Sequence, residues 1–497
     1  MPASPSTARA INDRLALGLL QERGPLTAGQ LKQLTGLSRP TVADLVERLT
    51  AAGLIRVVGE SGAARRGPNA RLYGIVADGA FLAALDVRTE GVVVLVADLV
   101  GRVLAEASVP VDRGAGTGPA VERVVSAVER AAKEAGAERL HTVGIGAPGL
   151  IDPATGDLRD SAGLPAWHRS LAAALQERLP GARITVENET NLAALAEQRE
   201  GAARDRDTFV LLWLGHGTGA AVVLDGVLRR GASGGTGEIG FLPVPGTSGL
   251  PSATDCAGGF HALAGAAAVL SLAAAHGLPT PAVVDGPGAA RVVRAAVESA
   301  SAGRAPAMDE AAAEGWPGEA SAGRTAQAGE RTARGAPVPD GAPVPGPGTG
   351  SAAAEDGPVP GEGVVGRASG GAGGRPLASG ETKPEGAPTV SPPGRRPAGA
   401  DGAAARFLAA LADGVAVGAA SVVAVLDPGC VVLGGEVGRA GGEALAGLVA
   451  ERLARLSPLP TEVRAGGLGG SAVLRGALLT ARDRAQDELW SGAPSRP

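Results

Sequence analysis

The chain has 497 residues, and a typical domain has about 100–200, so the sequence predicts more than one domain. The net charge of −5 at pH 7 excludes a protein that coats nucleic acid along its whole length, but it permits a local basic element. Cys256 and Cys430 lie far apart and form no CxxC pair, which excludes a disulfide scaffold. Because we find neither a long uninterrupted apolar run nor a signal-peptide pattern, we expect a cytoplasmic protein with no membrane partner.

The sequence divides into regions of different composition. Residues 1–78 predict a small first domain, and residues 79–299 alternate β-rich and helical runs. Residues 300–402 are rich in Gly, Ala, Pro and Glu and almost lack large apolar residues, so we expect a disordered insertion there. Apolar patterning returns in residues 403–485 with a helix and a strand, and residues 486–497 are expected to form a tail.

The N-terminal segment predicts three helices. The first is expected at residues 12–20 with Asn12 as its N-cap, and the second at residues 27–34 with Thr27 as its N-cap and Gln30 completing a capping box. Gly36 then supplies a turn. This spacing is typical of a helix-turn-helix.

The third helix is the candidate DNA-reading element. Ser38 can cap it and Pro40 suits its first turn, while an apolar face follows at helical spacing: Val42, Leu45, Val46 and Leu49. In a helix-turn-helix, the N-terminal residues of this helix face base edges in the major groove. We therefore predict DNA contacts from Ser38, Arg39, Pro40, Thr41 and Arg48.

Two short strands are predicted after the third helix, from LIRVV and RLYGI, and they flank a basic tip. This pattern adds a wing, from which Arg65 and Arg66 can reach phosphate or the minor groove. Asp44 and Glu47 put negative charge on the third helix, and we expect Glu47 to face away from DNA or to pair with Arg48. The alternative is a three-helix packing module that contacts no DNA.

The larger domain alternates strands and helices from residue 81 onward. FLAALDVRTEGVVVLVA predicts two strands joined by a tight turn, and further strands are expected at HTVGIGAP, ARITVEN and FVLLWLG with helices between them. This alternation predicts an α/β domain with a largely parallel sheet covered on both faces. Functional residues are then expected at the carboxyl ends of the strands.

Four motifs follow one another in this domain: VENETNLAALAEQREGA, WLGHGTGAAVVLDGVLRRG, GGTGEIG and LDPGCVVLGGEV. Together they resemble the ROK family, which comprises bacterial sugar kinases and the repressors that share their fold. The resemblance covers residues 81–298 and 403–480, and the N-terminal winged helix fits the repressor branch. It implies an actin-like (ASKHA) fold with two lobes and a cleft between them.

The resemblance also allows the kinase machinery to be compared residue by residue. Family kinases hold ATP phosphates with a D-x-G-G-T hairpin, and the run DVRTE at residues 86–90 lacks both glycines. The general base of the family is the aspartate of N-D-x-N, whose place is taken by Glu189 in NETN at residues 188–191. Glycine loops remain at residues 215–219 and 434–435. We predict no catalytic residue and no cofactor.

The family's sugar and zinc ligands are only partly present. Glu238 is retained, but Phe241 stands where the family has histidine. Of the family's zinc-binding cysteine cluster only Cys256 remains, beside Asp255 and His261, and one thiol is poor for tetrahedral zinc. We therefore expect no metal site.

Three further residues stand at family positions of interest. Phe260, in place of a cysteine, suggests an apolar plug where family members have zinc. Gly163 stands where relatives often place an asparagine against the sugar, and Trp167 is expected to pack rather than to stack on a ligand.

These observations predict a ROK-type regulator that binds operator DNA. We expect a kinase-like domain that acts as a sensor, with a possible sugar-derivative effector contacted by Asn188, Glu189 and Glu238, and a homodimer or homotetramer. The alternatives are an ATP-dependent sugar kinase and an interaction scaffold that binds no DNA.

Overall fold

The structure is a computed structural model. It describes residues 5–61, 70–88, 90–112, 114–159, 165–247, 249–252, 254–255, 257–302 and 400–491. Several sequence predictions concern residues outside these ranges: the wing-tip arginines Arg65 and Arg66, Gly163, Cys256, and nearly all of the insertion predicted at 300–402.

A winged helix-turn-helix forms the N-terminal region. Its elements are α1 Pro5–Arg23, β1 Leu26–Thr27, α2 Ala28–Thr35, α3 Arg39–Ala51, β2 Ile55–Ser61 and β3 Ala70–Ile75. The three strands pair antiparallel in the order β1-β3-β2. The helix-turn-helix and the two wing strands predicted from the sequence are therefore confirmed.

Local capping chemistry sets the ends of α2 and α3. Thr27 caps α2 and forms the predicted capping box with Gln30, and Gly36 ends α2 in the left-handed conformation with φ 70°. Ser38 caps α3 by accepting a hydrogen bond from the backbone N–H of Thr41. The prediction for α1 is wrong, because this helix begins at Pro5 and Asn12 lies inside it.

The first lobe of the larger domain is built on a five-stranded sheet. Its elements are β4 Phe81–Arg88, β5 Gly91–Asp98, β6 Val103–Pro110, α4 Thr117–Glu134, β7 Leu140–Ala147, α5 Trp167–Arg178 and β8 Arg183–Asn188. The strand order is β6-β5-β4-β7-β8. β4, β5 and β6 are antiparallel, whereas β7 and β8 run parallel to β4.

The second lobe repeats this plan. Its elements are α6 Glu189–Glu200, β9 Phe209–Leu214, β10 Thr218–Leu224, β11 Val227–Arg229, α7 His261–Ala264, α8 Ala266–Ala275, α9 Gly286–Ala302, α10 Ala400–Leu426, β12 Cys430–Gly434, α11 Gly435–Leu456, β13 Glu462–Ala465 and α12 Ala472–Trp490. The strand order is β11-β10-β9-β12-β13, and only β12 and β13 run parallel to β9.

The prediction of one largely parallel sheet is therefore wrong. Each lobe has a mixed sheet, because short turns connect β4 to β5, β5 to β6, β9 to β10 and β10 to β11. Strands joined by such short connections must pair antiparallel, whereas parallel pairing needs a crossover long enough for a helix. The two-lobed α/β fold implied by the family resemblance is confirmed.

α12 lies in the layer between the two sheets. It packs against β4 and β7 of the first lobe and against α6. Gly476 lies so close to the backbone of Leu192 in α6 that a methyl group there would overlap its carbonyl. The predicted tail boundary at residue 486 is wrong, since α12 continues to Trp490.

α10 resembles a membrane span in composition alone. Among the residues that the structure describes, Gly402–Leu426 is the one segment long and apolar enough for a span. One face of the helix, which includes Phe407, Leu411 and Val415, is fully buried in the second lobe. Packing against α9 and α11 therefore accounts for its composition.

The close approach of α6 and α12 leads to a first prediction. Gly476→Ala should lower the free energy of unfolding by about 1–3 kcal/mol, because the added methyl group must displace backbone atoms of Leu192. The matched control is Gly447→Ala on α11, which has open space around it and should be neutral or slightly stabilising. Urea denaturation of both variants measures the difference. Equal midpoints for the two variants would contradict the packing described.

Candidate functional site

The start of α3 forms an exposed surface on the winged helix. Ser38, Arg39 and Pro40 are exposed there, and Thr41 is partly buried. The Ser38 and Thr41 hydroxyls lie 2.8 Å apart and hydrogen-bond to each other, so they hold the helix end in shape. Arg39 makes no ion pair with any residue that the structure describes, which leaves its guanidinium available to a partner.

Arg48 has a different environment. Its guanidinium donates to Asp13 on α1 at 2.6 Å and also pairs with Asp44 one turn back on α3. The hydrogen bond to Asp13 is the main cause that raises the pKa of Arg48. These bonds tie α3 to α1, so the structure gives Arg48 a packing role, and its DNA contact stays a prediction. Its partner on α3 is Asp44 and not Glu47.

The winged helix also carries exposed cations that the sequence analysis did not select. Lys32 on α2, Arg56 on β2 and Arg71 on β3 are exposed. Arg56 pairs with Asp78 at 3.1 Å, where the chain leaves the wing. Residue type alone could have selected them, but only the fold places them on the same small domain as Arg39.

A cavity of about 680 Å³ lies in the cleft of the larger domain. Its walls come from the end of β4, the start of α6, the β9–β10 loop and the starts of α9, α11 and α12. Charged groups dominate its polar lining: Asp86, Arg88, Glu90, Glu189, Asp285 and Glu436. The carboxyl ends of strands therefore supply the cleft, as the sequence analysis expected.

Arg88 joins the two sides of this cleft. Its Nε and Nη2 donate to Asp86 Oδ2 at 2.9 and 2.6 Å, and Nη2 also donates to the Gly470 carbonyl at 3.1 Å. Burial raises the pKa of Asp86, and the Arg88 charge opposes that effect. The Arg88 side chain thus stands where the family's phosphate-binding hairpin D-x-G-G-T has its first glycine.

Glu189 stands at the first position of α6 and faces other carboxylates. Burial, and then the charges of Asp86, Glu436 and Glu238, raise the pKa of Glu189 to about 8. At neutral pH the side chain therefore carries a proton and can donate a hydrogen bond to a ligand.

Asn188 is the residue that caps α6. Its Oδ1 accepts from the backbone N–H of Thr190 at 2.8 Å and of Asn191 at 3.3 Å, while its Nδ2 donates to the Gly149 carbonyl at 2.9 Å. These bonds engage both ends of the amide. The structure therefore gives Asn188 a structural role, and its contact with an effector stays a prediction.

The second-lobe loop that resembles the family's zinc region is apolar at its centre. Phe260 is fully buried and packs against Gly418 of α10, as the prediction of an apolar plug requires. His261 begins α7, and burial lowers its pKa. Over the described ranges, no three His, Cys, Asp or Glu side chains form a metal-binding group.

Trp167 and His168 pack against each other at the start of α5. Trp167 is buried in the core of the first lobe, which agrees with the expected packing role. His168, which the sequence analysis did not select, is buried edge-to-face against it with ring centroids 4.2 Å apart. Burial lowers the pKa of His168 to about 4, so its ring is neutral at physiological pH.

Two family models match the chain. The model of the ROK family matches residues 83–274, and the model of the MarR family matches residues 11–67. The ROK match spans the first lobe and the second lobe as far as α8, and the MarR match spans the winged helix from α1 to β2. After this similarity, the two α/β lobes are called the ROK domain below.

Curated relatives include both regulators and kinases. The chain is 24% identical over 240 residues to a xylose repressor of Caldicellulosiruptor bescii, covering 48% of this chain and 59% of the repressor. It is 26% identical over 250 residues to the DNA-binding transcriptional dual regulator NagC of Escherichia coli K12, covering 48% and 58%. A glucokinase of Thermotoga maritima is 38% identical over 102 residues, covering 20% and 32%. The chain therefore spans little more than half of these regulators.

Solved structures share the fold. A ROK family transcriptional regulator described as a homologue of the E. coli MLC protein superposes with a TM-score of 0.61 at 16% identity, covering 98% of this chain and 97% of that one. A ROK family glucokinase from Streptomyces griseus, in complex with glucose and AMPPNP, gives a TM-score of 0.52 at 20% identity and covers 81% and 100%. The fold is common to regulators and kinases, so function must be argued from the sites.

The environment of Glu189 leads to a second prediction. Its pKa of about 8 in the folded protein lies above the ordinary value of 4.5, so the folded state holds a proton that the unfolded chain releases first. This contribution to stability is complete below about pH 4.5 and is lost as the pH rises towards about 8. The free energy of unfolding should therefore fall more steeply over this range in the wild type than in Glu189→Gln.

Urea denaturation at several pH values between about 5 and 8 measures this effect. Glu177→Gln, an exposed position on α5, serves as the control and should follow the wild-type curve. A Glu189→Gln curve parallel to that of the wild type would show that Glu189 titrates as an ordinary glutamate.

Proposed function

We propose that this protein is a DNA-binding transcriptional regulator of the repressor type, whose ROK domain is a non-catalytic sensor. The observation that carries the proposal is the exposed start of α3, where Arg39 projects from a well-capped helix of a winged helix-turn-helix. In this motif the N-terminal residues of the second helix-turn-helix helix read base edges in the major groove. The regulators among the relatives support the same conclusion.

The electrostatics of α3 suit a DNA-facing helix. Asp44 would repel phosphate if it were alone, but Arg48 pairs with it and with Asp13. The local charge on that side of the helix is therefore largely balanced, and Arg39 remains as the cation at the leading end. We propose base or phosphate contacts from Ser38, Arg39, Pro40 and Thr41, and phosphate contacts from the wing arginines Arg65 and Arg66.

Polar contacts at the end of α12 connect the winged helix to the ROK domain. Gln486 near the end of α12 donates to Gln21 Oε1 on α1 at 2.9 Å and to the Leu99 carbonyl at 3.0 Å. Gln21 in turn donates to the Val100 carbonyl at 3.0 Å, and Arg14 pairs with Asp487. The other end of α12 reaches the cleft through Val473. A ligand that changes the cleft could thus alter the position of the DNA-reading helix.

The sensor role concerns the cleft around Glu189. A small effector of the sugar-derivative class would meet Glu189 there as a hydrogen-bond donor at neutral pH. We propose Asn188, which precedes Glu189, and Glu238, whose charge raises the pKa of Glu189, as further contacts beside this cavity. One winged helix covers only a half-site, so we also propose a homodimer or homotetramer on DNA. A chromosomal target places the protein in the cytoplasm.

Sugar phosphorylation is the second candidate, because glucokinases are among the relatives. It requires a site for the phosphates of ATP, but Arg88, bonded to Asp86, stands where the family's D-x-G-G-T hairpin has its first glycine. The kinase alternative predicts ATP-dependent phosphate transfer that Glu189→Gln abolishes. Our proposal predicts no transfer by the wild type.

The third prediction tests DNA recognition. Purified full-length protein should bind the DNA upstream of its own gene more tightly than a scrambled duplex, and the preference should persist at physiological salt. Arg39→Ala should weaken specific binding by about 1–3 kcal/mol, because it removes the free cation at the start of α3. Titration of both duplexes at several salt concentrations measures the preference and the salt dependence.

Arg291→Ala is the matched control. Arg291 is exposed on α9 of the ROK domain, and its substitution removes the same charge as Arg39→Ala. It should leave the specific affinity unchanged. An equal loss in both variants, or specific binding that survives deletion of residues 1–78, would contradict recognition by the winged helix.

A further inference from the structure

Glu436 occupies an unusual position in the cleft. It follows the glycine pair at residues 434–435 in the first turn of α11, and its side chain lines the cavity. A Cβ atom at Gly215 would lie 2.5 Å from Glu436 Oε2, and one at Gly286 would lie 3.3 Å from the same oxygen. Glycine at both positions therefore leaves the space that the carboxylate fills.

The surroundings of this carboxylate are those of an anion-binding site. α11 begins at Gly435 and α9 begins at Gly286, so two helix N-termini meet beside it. Helix N-termini attract negative charge through their free N–H groups and their dipoles. The backbone N–H of Glu436 donates to its own side chain, and the Arg88 charge favours the ionised form from the opposite side.

The hydrogen bonding of the Glu436 carboxyl group is nevertheless incomplete. Glu436 Oε2 is fully buried and has no hydrogen-bond partner among the residues that the structure describes. Burial is the main cause that raises the pKa of Glu436, and the charges of Asp86 and Glu90 act in the same direction. A buried carboxyl oxygen without a hydrogen-bond partner lowers the stability of the fold, so its presence here requires an explanation.

We propose that the carboxyl group of Glu436 occupies the position in the cleft where the phosphate of a ligand would otherwise bind. Glu436 thereby determines specificity, because it restricts the cleft to uncharged ligands and excludes nucleotides and phosphorylated sugars. The remaining charges act in the same sense, since Asp86 and Glu90 also repel phosphate and Arg88 is already bonded to Asp86. This inference rests on the proposed sensor function, and it adds the chemical class of the effector that the sensor binds.

A purely structural role for Glu436 makes a different prediction. A carboxylate in the first turn of a helix contributes about 0.3–1 kcal/mol through the helix dipole alone. Removing it would then lower stability without creating affinity for anions. The measurement must therefore follow anion binding and stability separately.

The fourth prediction uses tripolyphosphate and ATP as probes in isothermal titration calorimetry. Glu436→Ala removes both the charge and the volume of the side chain, so it should bind tripolyphosphate at least about tenfold more tightly than the wild type, or about 1.4 kcal/mol. Glu436→Gln removes the charge but keeps the volume, and it should gain less. Adding Arg88→Met to Glu436→Ala should reverse most of the gain, because the facing cation is lost.

Glu443→Ala is the control, since Glu443 is exposed on the same helix and its loss changes the net charge equally. It should bind the probes no better than the wild type. If Glu436→Ala does not fold, the gain in Glu436→Gln over Glu443→Gln decides the question. Wild-type affinity equal to that of the Glu436 variants would overturn the proposal. No DNA is present in these titrations, so a failure here is distinct from a failure of the DNA-binding proposal.

Discussion

The packing of α12 between the two sheets is the contact on which the rest of the molecule depends. One end of this helix borders the cleft at Val473, its middle packs against β4, β7 and α6, and its last turns hold α1 of the winged helix. Gly476 permits the close approach to α6. Since a packed core transmits displacements and does not absorb them, a change at the cleft end can reach the winged helix through one rigid element.

The balance of charge in the cleft is the second constraint. Carboxyl groups from β4, α6 and α11 converge on it, and Arg88 is the one guanidinium among its described lining residues. Arg88 both neutralises Asp86 and bonds to the carbonyl of Gly470 across the cleft. Burial, and then this surplus of negative charge, raise the pKa of Glu189 to about 8. A cleft of this kind disfavours phosphate and favours neutral hydroxyl-bearing ligands.

The sequence predicted best those features that local chemistry determines. The capping of α2 by Thr27 and of α3 by Ser38, and the turn at Gly36, follow from side chains within three or four residues of each other. Most strands of the two lobes were predicted from their apolar runs, but β6 and β13 were not. The helix α1 was placed incorrectly because Asn12 resembles a cap wherever it occurs, and a helix that starts earlier buries the same apolar face.

Features that depend on the tertiary fold could not be predicted. Arg48 was expected to contact DNA, but its partner Asp13 lies 35 residues away along the chain, so only the packing of α1 on α3 could reveal the bond. Neither α11 nor α12 has apolar residues confined to one face at helical spacing. Periodicity in the sequence therefore did not predict these helices. Glu436 was not predicted, because glycine pairs after strands are common and the residue that follows one has no special signal in the sequence. Its significance appears only when Gly215 and Gly286 are found against its carboxylate.

The central claim is that α12 couples the ROK domain to DNA recognition, and the operator affinity of Gln486→Leu tests it most directly. Gln486 is buried beneath α1, far from the exposed start of α3 in the chain, and it bonds only within the protein. The account predicts that this variant, folded as judged by circular dichroism, changes specific DNA affinity by at least about threefold, or roughly 0.7 kcal/mol. Gln198→Leu on α6 should not change it. A Gln486→Leu affinity equal to that of the wild type would contradict the coupling.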